Sequence, residues 1–208
     1  MTASTSHCSP SGLSLRLLRR VLITAMLALA CAFSVAHASD PELRNVALVS
    51  SEDGHQLQFD VVFELNPRLE EVVSRGVPLY FVAEFELTRP RWYWFDEDLA
   101  KRSLTYRLSY HALTRQYRLA TGPLHQNFPT LESALKTMSR VRSWTVAERG
   151  SLSVGVGYQA QLRFRLDLTQ MPKPFQVGAI GDRDWSLGTE WLRWTYVPGA
   201  GNTEPVGQ

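Results

Sequence analysis

The stretch LSVGVGYQAQLRFRLDL, Leu152 to Leu168, decides the fold class. Its even positions are apolar: Leu152, Val154, Val156, Tyr158, Ala160, Leu162, Phe164, Leu166 and Leu168. The odd positions between them are Ser, Gly, Gln, Arg and Asp. A period of two means a β-strand with one dry face and one wet face. Arg163 and Arg165 fall on the wet face. A single straight strand of this length, at about 3.3 Å per residue, would exceed the usual range of about 3–10 residues. A bend or bulge near Gly155–Gly157 is therefore expected, with the C-terminal part forming a central strand.

The same alternation recurs on both sides. Leu43–Val49 and the run Leu57, Phe59, Val61, Phe63, Leu65 flank Glu52-Asp53-Gly54, a hairpin turn in which Asp-Gly supplies positive φ at little cost. Val77–Thr88, Lys101–Tyr110, Arg115–Ala120 and Glu190–Val197 add further strands. Thr121-Gly122-Pro123 interrupts them, Asp96-Glu97-Asp98 is read as an acidic turn, and Ser143–Ala147 as an extended run. Asn66-Pro67 opens a short helical turn near 68–74. Thr130 is an N-cap for a helix near 131–141, with Leu131, Ala134, Leu135, Met138 and Val141 on one face. Met171-Pro172-Lys173-Pro174-Phe175 is read as an extended, polyproline-like loop, and Asp182–Trp185 as a polar loop. These signals predict a mainly β chain: a single antiparallel β-sandwich, immunoglobulin-like, with one crossover helix near 131–141. The domain is expected over residues 39–197, with a flexible tail at 198–208.

The N-terminus carries a separate message. Arg16, Arg19 and Arg20 precede the apolar run Val21–Phe33, and Ala36-His37-Ala38 follows. This is the pattern of a cleavable secretory signal peptide, residues 1–38, with cleavage after Ala38. The run falls short of the roughly 20 apolar residues that span a bilayer. Export across the inner membrane is expected, with no membrane-spanning segment after cleavage. The whole chain has 22 basic and 20 acidic residues. Three Arg leave with the signal peptide, so the rest is slightly acidic and makes no case for nucleic acid. Both cysteines, Cys8 and Cys31, lie in the leader, so no disulfide is expected in the mature chain.

Catalytic and metal patterns are weak. His55, His111 and His125 lack the spacing of a helical metal pair, and no cysteine is available to them. The sequence has no G-x-S-x-G elbow, and Gly155-Val156-Gly157 lacks the third glycine of a phosphate cradle. An enzyme would have to assemble His111, His125, Asp182 and Asp184 from distant segments. No metal and no cofactor is expected. Two features stand above this background. One is aromatic density: Trp92, Tyr93, Trp94 and Phe95 in one cluster, Trp185, Trp191 and Trp194 in another. Adjacent strand residues face opposite ways, so part of each cluster must leave the core, and exposed Trp and Tyr mark contact surfaces. The other is arginine enrichment, with Arg107, Arg115, Arg118, Arg163 and Arg165 on wet faces. These arginines suit cross-strand ion pairs or anionic partners. The candidate binding residues are Trp92, Trp94, Trp191, Trp194, Arg163 and Arg165.

The segments LSYHALTRQYRLATGPLHQNFPTLESAL, LSVGVGYQAQLRFRLDLTQMPKPFQV and DRDWSLGTEWLRWTY resemble a proteobacterial family labelled "proline-rich signal peptide protein", domain-of-unknown-function family 4390. The resemblance implies an exported envelope protein of a Gram-negative bacterium and carries no catalytic residues. It also implies, through frequent gene neighbourhood, a membrane sensor histidine kinase as a candidate partner. The expected function is a non-enzymatic periplasmic module that binds an envelope protein. The alternatives are a small-ligand or glycan-binding module using exposed Trp residues, and an uncharacterised enzyme.

Overall fold

A computed structural model describes residues 40–93, 97–179 and 182–199. The proposed leader, residues 200–208, and the predicted site residue Trp94 lie outside the described residues. The described chain is mainly β. Its strands are β1 (Glu42–Ser51), β2 (Gly54–Val62), β3 (Leu79–Arg89), β4 (Glu97–His111), β5 (Gln116–Thr121), β6 (Leu124–Phe128), β7 (Arg140–Ala147), β8 (Tyr158–Leu166) and β9 (Leu192–Tyr196). Three α-helices join them: α1 (Pro67–Ser74), α2 (Leu131–Met138) and α3 (Lys173–Gly178). All strand pairs are antiparallel and form two open sheets, β1-β2-β7 and β6-β5-β4-β3-β8-β9. This is the predicted sandwich. α1 carries the chain from the small sheet to the large one, and α2 carries it back.

The β3–β8 pair shows why these sequences form this sheet. Phe81 sits opposite Leu166, Ala83 opposite Phe164, Phe85 opposite Leu162 and Leu87 opposite Ala160. Every one of these eight side chains is buried. The intervening pairs, Glu84 with Arg163 and Glu86 with Gln161, face outward. A one-residue slip would exchange the two faces, so the register is held by burial. Inside, Phe81 and Phe164 stack at 5.8 Å, and Phe63 lies 5.4 Å from Phe164. Phe85 meets Trp144 of β7 at 6.4 Å, and Phe59 of β2 meets the same indole at 6.4 Å. Each buried Phe contributes roughly 1.5–3 kcal/mol.

Several local expectations change. The strand predicted from Leu152 begins only at Tyr158; residues 152–157 form turns, with Gly155 at φ +77° and Val154 exposed. The bend near Gly155–Gly157 thus ends the strand altogether, and Val154 leaves the dry face. Thr121-Gly122-Pro123 is a hairpin turn rather than an end of pairing, because Leu124–Phe128 adds β6 at the edge. That strand is missed by alternation, since its five residues are exposed or only half-buried. α2 stops at Met138, and Val141 belongs to β7. Glu97 and Asp98 start β4 instead of making a turn. Residues after Pro172 form α3, not an extended loop: prolines are tolerated in a first helical turn, whose N–H groups lack intrahelical partners. Arg183–Trp185 is a 3-10 turn. Beyond β9 the chain is still tied down, with Gly155 N–H donating to the Pro198 carbonyl at 3.0 Å.

A polar cluster, buried at His55 and Tyr196 and open at Ser50, joins the two sheets. Ser50 and His55 face each other across the β1–β2 hairpin, and Tyr196 reaches them from β9. His55 Nδ1 lies 3.0 Å from the Tyr196 hydroxyl and 3.2 Å from Ser50 Oγ. The turn needs Gly54: at φ +121° a Cβ there would come within 2.5 Å of the Ala147 carbonyl oxygen. Burial lowers the His55 pKa, since the charged form is desolvated. The unfolded chain, with an ordinary His near pH 6.5, therefore takes up a proton before the folded one does. Stability is full above that pH and falls as pH drops through it toward the lower folded value. Urea denaturation of the wild type and His55→Gln at pH 7.5 and 5.5 should show the wild type losing more stability on acidification. Equal losses would remove His55 as the cause.

Candidate functional site

The outer face of the large sheet gathers the predicted arginines. Glu84, on β3, sits between Arg163 and Arg165 of β8. Arg165 Nη2 donates to Glu84 Oε1 at 2.8 Å, and Arg163 Nε donates to Oε2 at 2.9 Å. Arg165 also lies 3.5 Å from the Asp167 carboxylate. The hydrogen bond from Arg165, helped by that from Arg163 and opposed by partial burial, holds the Glu84 carboxyl below its usual pKa. The Arg163 guanidinium lies 4.4 Å from the centre of the Trp191 ring, a cation–π contact. Arg163 and Arg165 therefore serve cross-strand pairing, and neither is left free for an anionic ligand. Other wet-face arginines are also engaged: Arg107 lies over Tyr80 at 6.0 Å, and Arg118 donates to Asn127 at 3.2 Å.

The tryptophans separate. Trp191 lies half-buried under Arg163. Trp194 points into the core, 6.3 Å from Phe85, and is only 6% exposed. The two cannot form one stacking platform, because odd and even positions leaving β9 face opposite sides; this corrects the expectation for Trp194. Its buried indole N–H has no hydrogen-bond partner among the described residues. Trp92 is the opposite case. It stands at the tip of the β3–β4 hairpin, 92% exposed, with Tyr93 beside it at 68% and their rings 5.0 Å apart. Arg91, also exposed, pairs with Glu97 below the tip.

The histidine constellation does not assemble. His111 pairs with Gln116, whereas His125 pairs with Ala120, which is opposite Arg107. The four-residue offset separates them by about 13 Å along the strands, and two strand spacings add about 10 Å across. Asp184 lies elsewhere, its carbonyl accepting from the Asn66 side chain that caps α1. No group of His, Cys, Asp or Glu able to hold a metal occurs among the described residues. The buried histidine is His55, which sequence reasoning passed over. Its signal was its parity, shared with Leu57, Phe59 and Val61, all of which face inward.

A further opening lies away from all of these residues. An open groove of about 800 Å³ runs between the end of β2, the following segment to Leu65, Glu70 of α1 and one side of α2. Among the described residues, no helix is long and apolar enough to cross a membrane.

The Glu84 network makes a checkable contribution. Glu84→Gln keeps the side-chain shape but removes the charge shared by two arginines. It should lower stability in urea by about 1–2 kcal/mol at neutral pH. The difference should shrink on acidification below about pH 4.5, where the unfolded carboxyl protonates and the depressed folded pKa is approached.

The DUF4390 family model, Domain of unknown function, matches residues 38–195. No curated protein and no solved structure matches the chain. The matched span runs from just before β1 into β9 and so takes in both sheets and all three helices. The chain belongs to the DUF4390 family.

Proposed function

We propose that this chain is an exported, non-enzymatic binding module that engages a protein partner in the periplasm. The observation that carries this reading is the β3–β4 tip, where Trp92 and Tyr93 stand together in solvent. Large aromatics left outside a core that had room for Trp185 and Trp194 are what a protein contact uses, since Trp and Tyr dominate binding hot spots. The two strands beneath the tip are firmly held: β3 is paired on both sides and β4 reaches back to β5. A rigid ribbon lowers the ordering cost of binding. A membrane sensor kinase, with an extracytoplasmic surface in the same compartment, is one partner of this kind.

The export half of the proposal rests on the basic–apolar–small pattern of residues 1–38. N-terminal sequencing of protein from the periplasmic fraction should begin at Ser39. Cytoplasmic retention with Met1 intact would overturn it.

The partner half is tested by a photo-crosslinking residue at position 92 in envelope preparations, followed by mass spectrometry. A discrete crosslinked protein is expected. Trp92→Ala combined with Tyr93→Ala should weaken that complex tenfold or more, the scale of a lost hot spot (about 2 kcal/mol). Unchanged affinity, or saturable quenching of Trp92 fluorescence by peptidoglycan fragments with no protein captured, would replace this reading with a glycan-binding one.

A further inference from the structure

The groove beside α2 differs from the paired strands in how its carboxylates are matched. Elsewhere the sheet carboxylates are matched: Asp60 by Arg142, Glu84 by Arg163 and Arg165, Glu86 by Lys101. Around the groove stand Glu64, Glu70 and Glu132, all exposed. None of the three has an ion-pair or hydrogen-bond partner through its side chain among the described residues. Glu70 and Glu132 occupy the first turns of α1 and α2, where the helix dipole stabilises a carboxylate without a cationic neighbour. Among the described residues Lys136 is the one basic side chain of the lining, so the rim is acidic.

The floor adds a second, independent feature. The pairing of β2 with β1 ends at Val62, and its pairing with β7 ends at Asp60, with Val61 N–H donating to Ser139. The chain nevertheless alternates for three more residues: Phe63 and Leu65 are buried and Glu64 is exposed. The backbone of Phe63, Glu64 and Leu65 makes no hydrogen bond among the described residues. These residues continue the line of β2 past its last pair, in the floor of an open groove, and their backbone is unpaired among the described residues. Val62, 42% exposed, and the half-buried Leu131 and Leu135 supply apolar walls.

Unpaired extended backbone, apolar walls and an uncompensated acidic rim specify one kind of ligand. We infer that the groove receives an extended segment of a protein partner, alternating apolar and basic residues, which adds as a strand beside residues 63–65. Backbone hydrogen bonds to the free edge would supply pairing, the apolar side chains would cover Val62, Leu131 and Leu135, and Lys or Arg would meet Glu64, Glu70 and Glu132. Strand addition of this type reads main chain for affinity and alternate side chains for specificity. The inference rests on the partner-binding reading but uses a surface remote in sequence from the Trp92 tip.

The test is fluorescence anisotropy of purified protein with a labelled synthetic peptide of about nine residues, alternating valine with lysine or arginine. Binding that weakens with salt is expected. Glu64→Gln with Glu132→Gln should weaken it at least fivefold with only a small fall in the urea midpoint, since both side chains are exposed and only Glu132 gives up its place in a helix dipole. A peptide N-methylated on one edge, unable to pair with backbone, should lose binding, and one with glutamate in place of its basic residues should not bind. Equal binding of basic and acidic peptides, full binding of the N-methylated peptide, or no binding of the basic peptide would each overturn the inference. Trp92→Ala with Tyr93→Ala should leave peptide binding intact, so failure at the groove and failure at the tip are read separately.

Discussion

The structure depends on the register of β3 against β8. In that register Phe81, Ala83, Phe85 and Leu87 share one face with Leu166, Phe164, Leu162 and Ala160, while Glu84 meets Arg163 and Arg165 on the other. Burial and ion pairing agree on the same alignment, and a shift of one residue would reverse both. The stacked Phe81–Phe164 pair then presents the surface on which Phe63 settles, and Phe85 meets Trp144 of the facing sheet. Both sheets are therefore packed around residues that this one pairing positions.

The remaining elements close the sandwich around that pair. Ser50, His55 and Tyr196 join the sheets through hydrogen bonds, of which the His55–Tyr196 contact is buried. The Leu187–Thr189 segment continues the cover of β8 past β9, with Thr189 N–H donating to Phe164 and a bridge from Gly188 to Arg165. Gly188 suits that approach, because a Cβ there would lie 3.0 Å from that of Arg165. With the β8 side covered, the hairpin tip and the acidic groove remain open. The tip stands on two paired strands, a favourable arrangement for recognition because little order has to be gained on binding.

Much of the fold was legible because half-buried strands write their burial into a period of two. β1, β2, β3, β5 and the C-terminal half of the Leu152–Leu168 run could be read that way, and Asn66 and Thr130 marked the starts of α1 and α2 by their capping chemistry. The reading failed where that code is silent. β6 has no buried residue, so nothing alternates. Val154 kept the parity of the strand but lies in a turn made possible by Gly155. Pro172 and Pro174 look like extended chain, yet prolines also suit a helix start. Of the candidate site, Trp92 was found by composition alone, whereas pairing of Trp191 with Trp194 failed on strand parity that the sequence already contained.

The sequence by itself determined which residues face inward, that the chain is mainly antiparallel β, and that Arg163 and Arg165 stand on a wet face. These properties are local, because side-chain direction follows from position along a strand. Only the tertiary structure decided which carboxylate those arginines meet, that His55 is buried beside Tyr196, and that Glu64, Glu70 and Glu132 surround one groove. Those facts depend on strand order and on where α1 and α2 cross between the sheets. The cause is long-range packing: residues distant in the chain become neighbours only when two apolar faces close on each other.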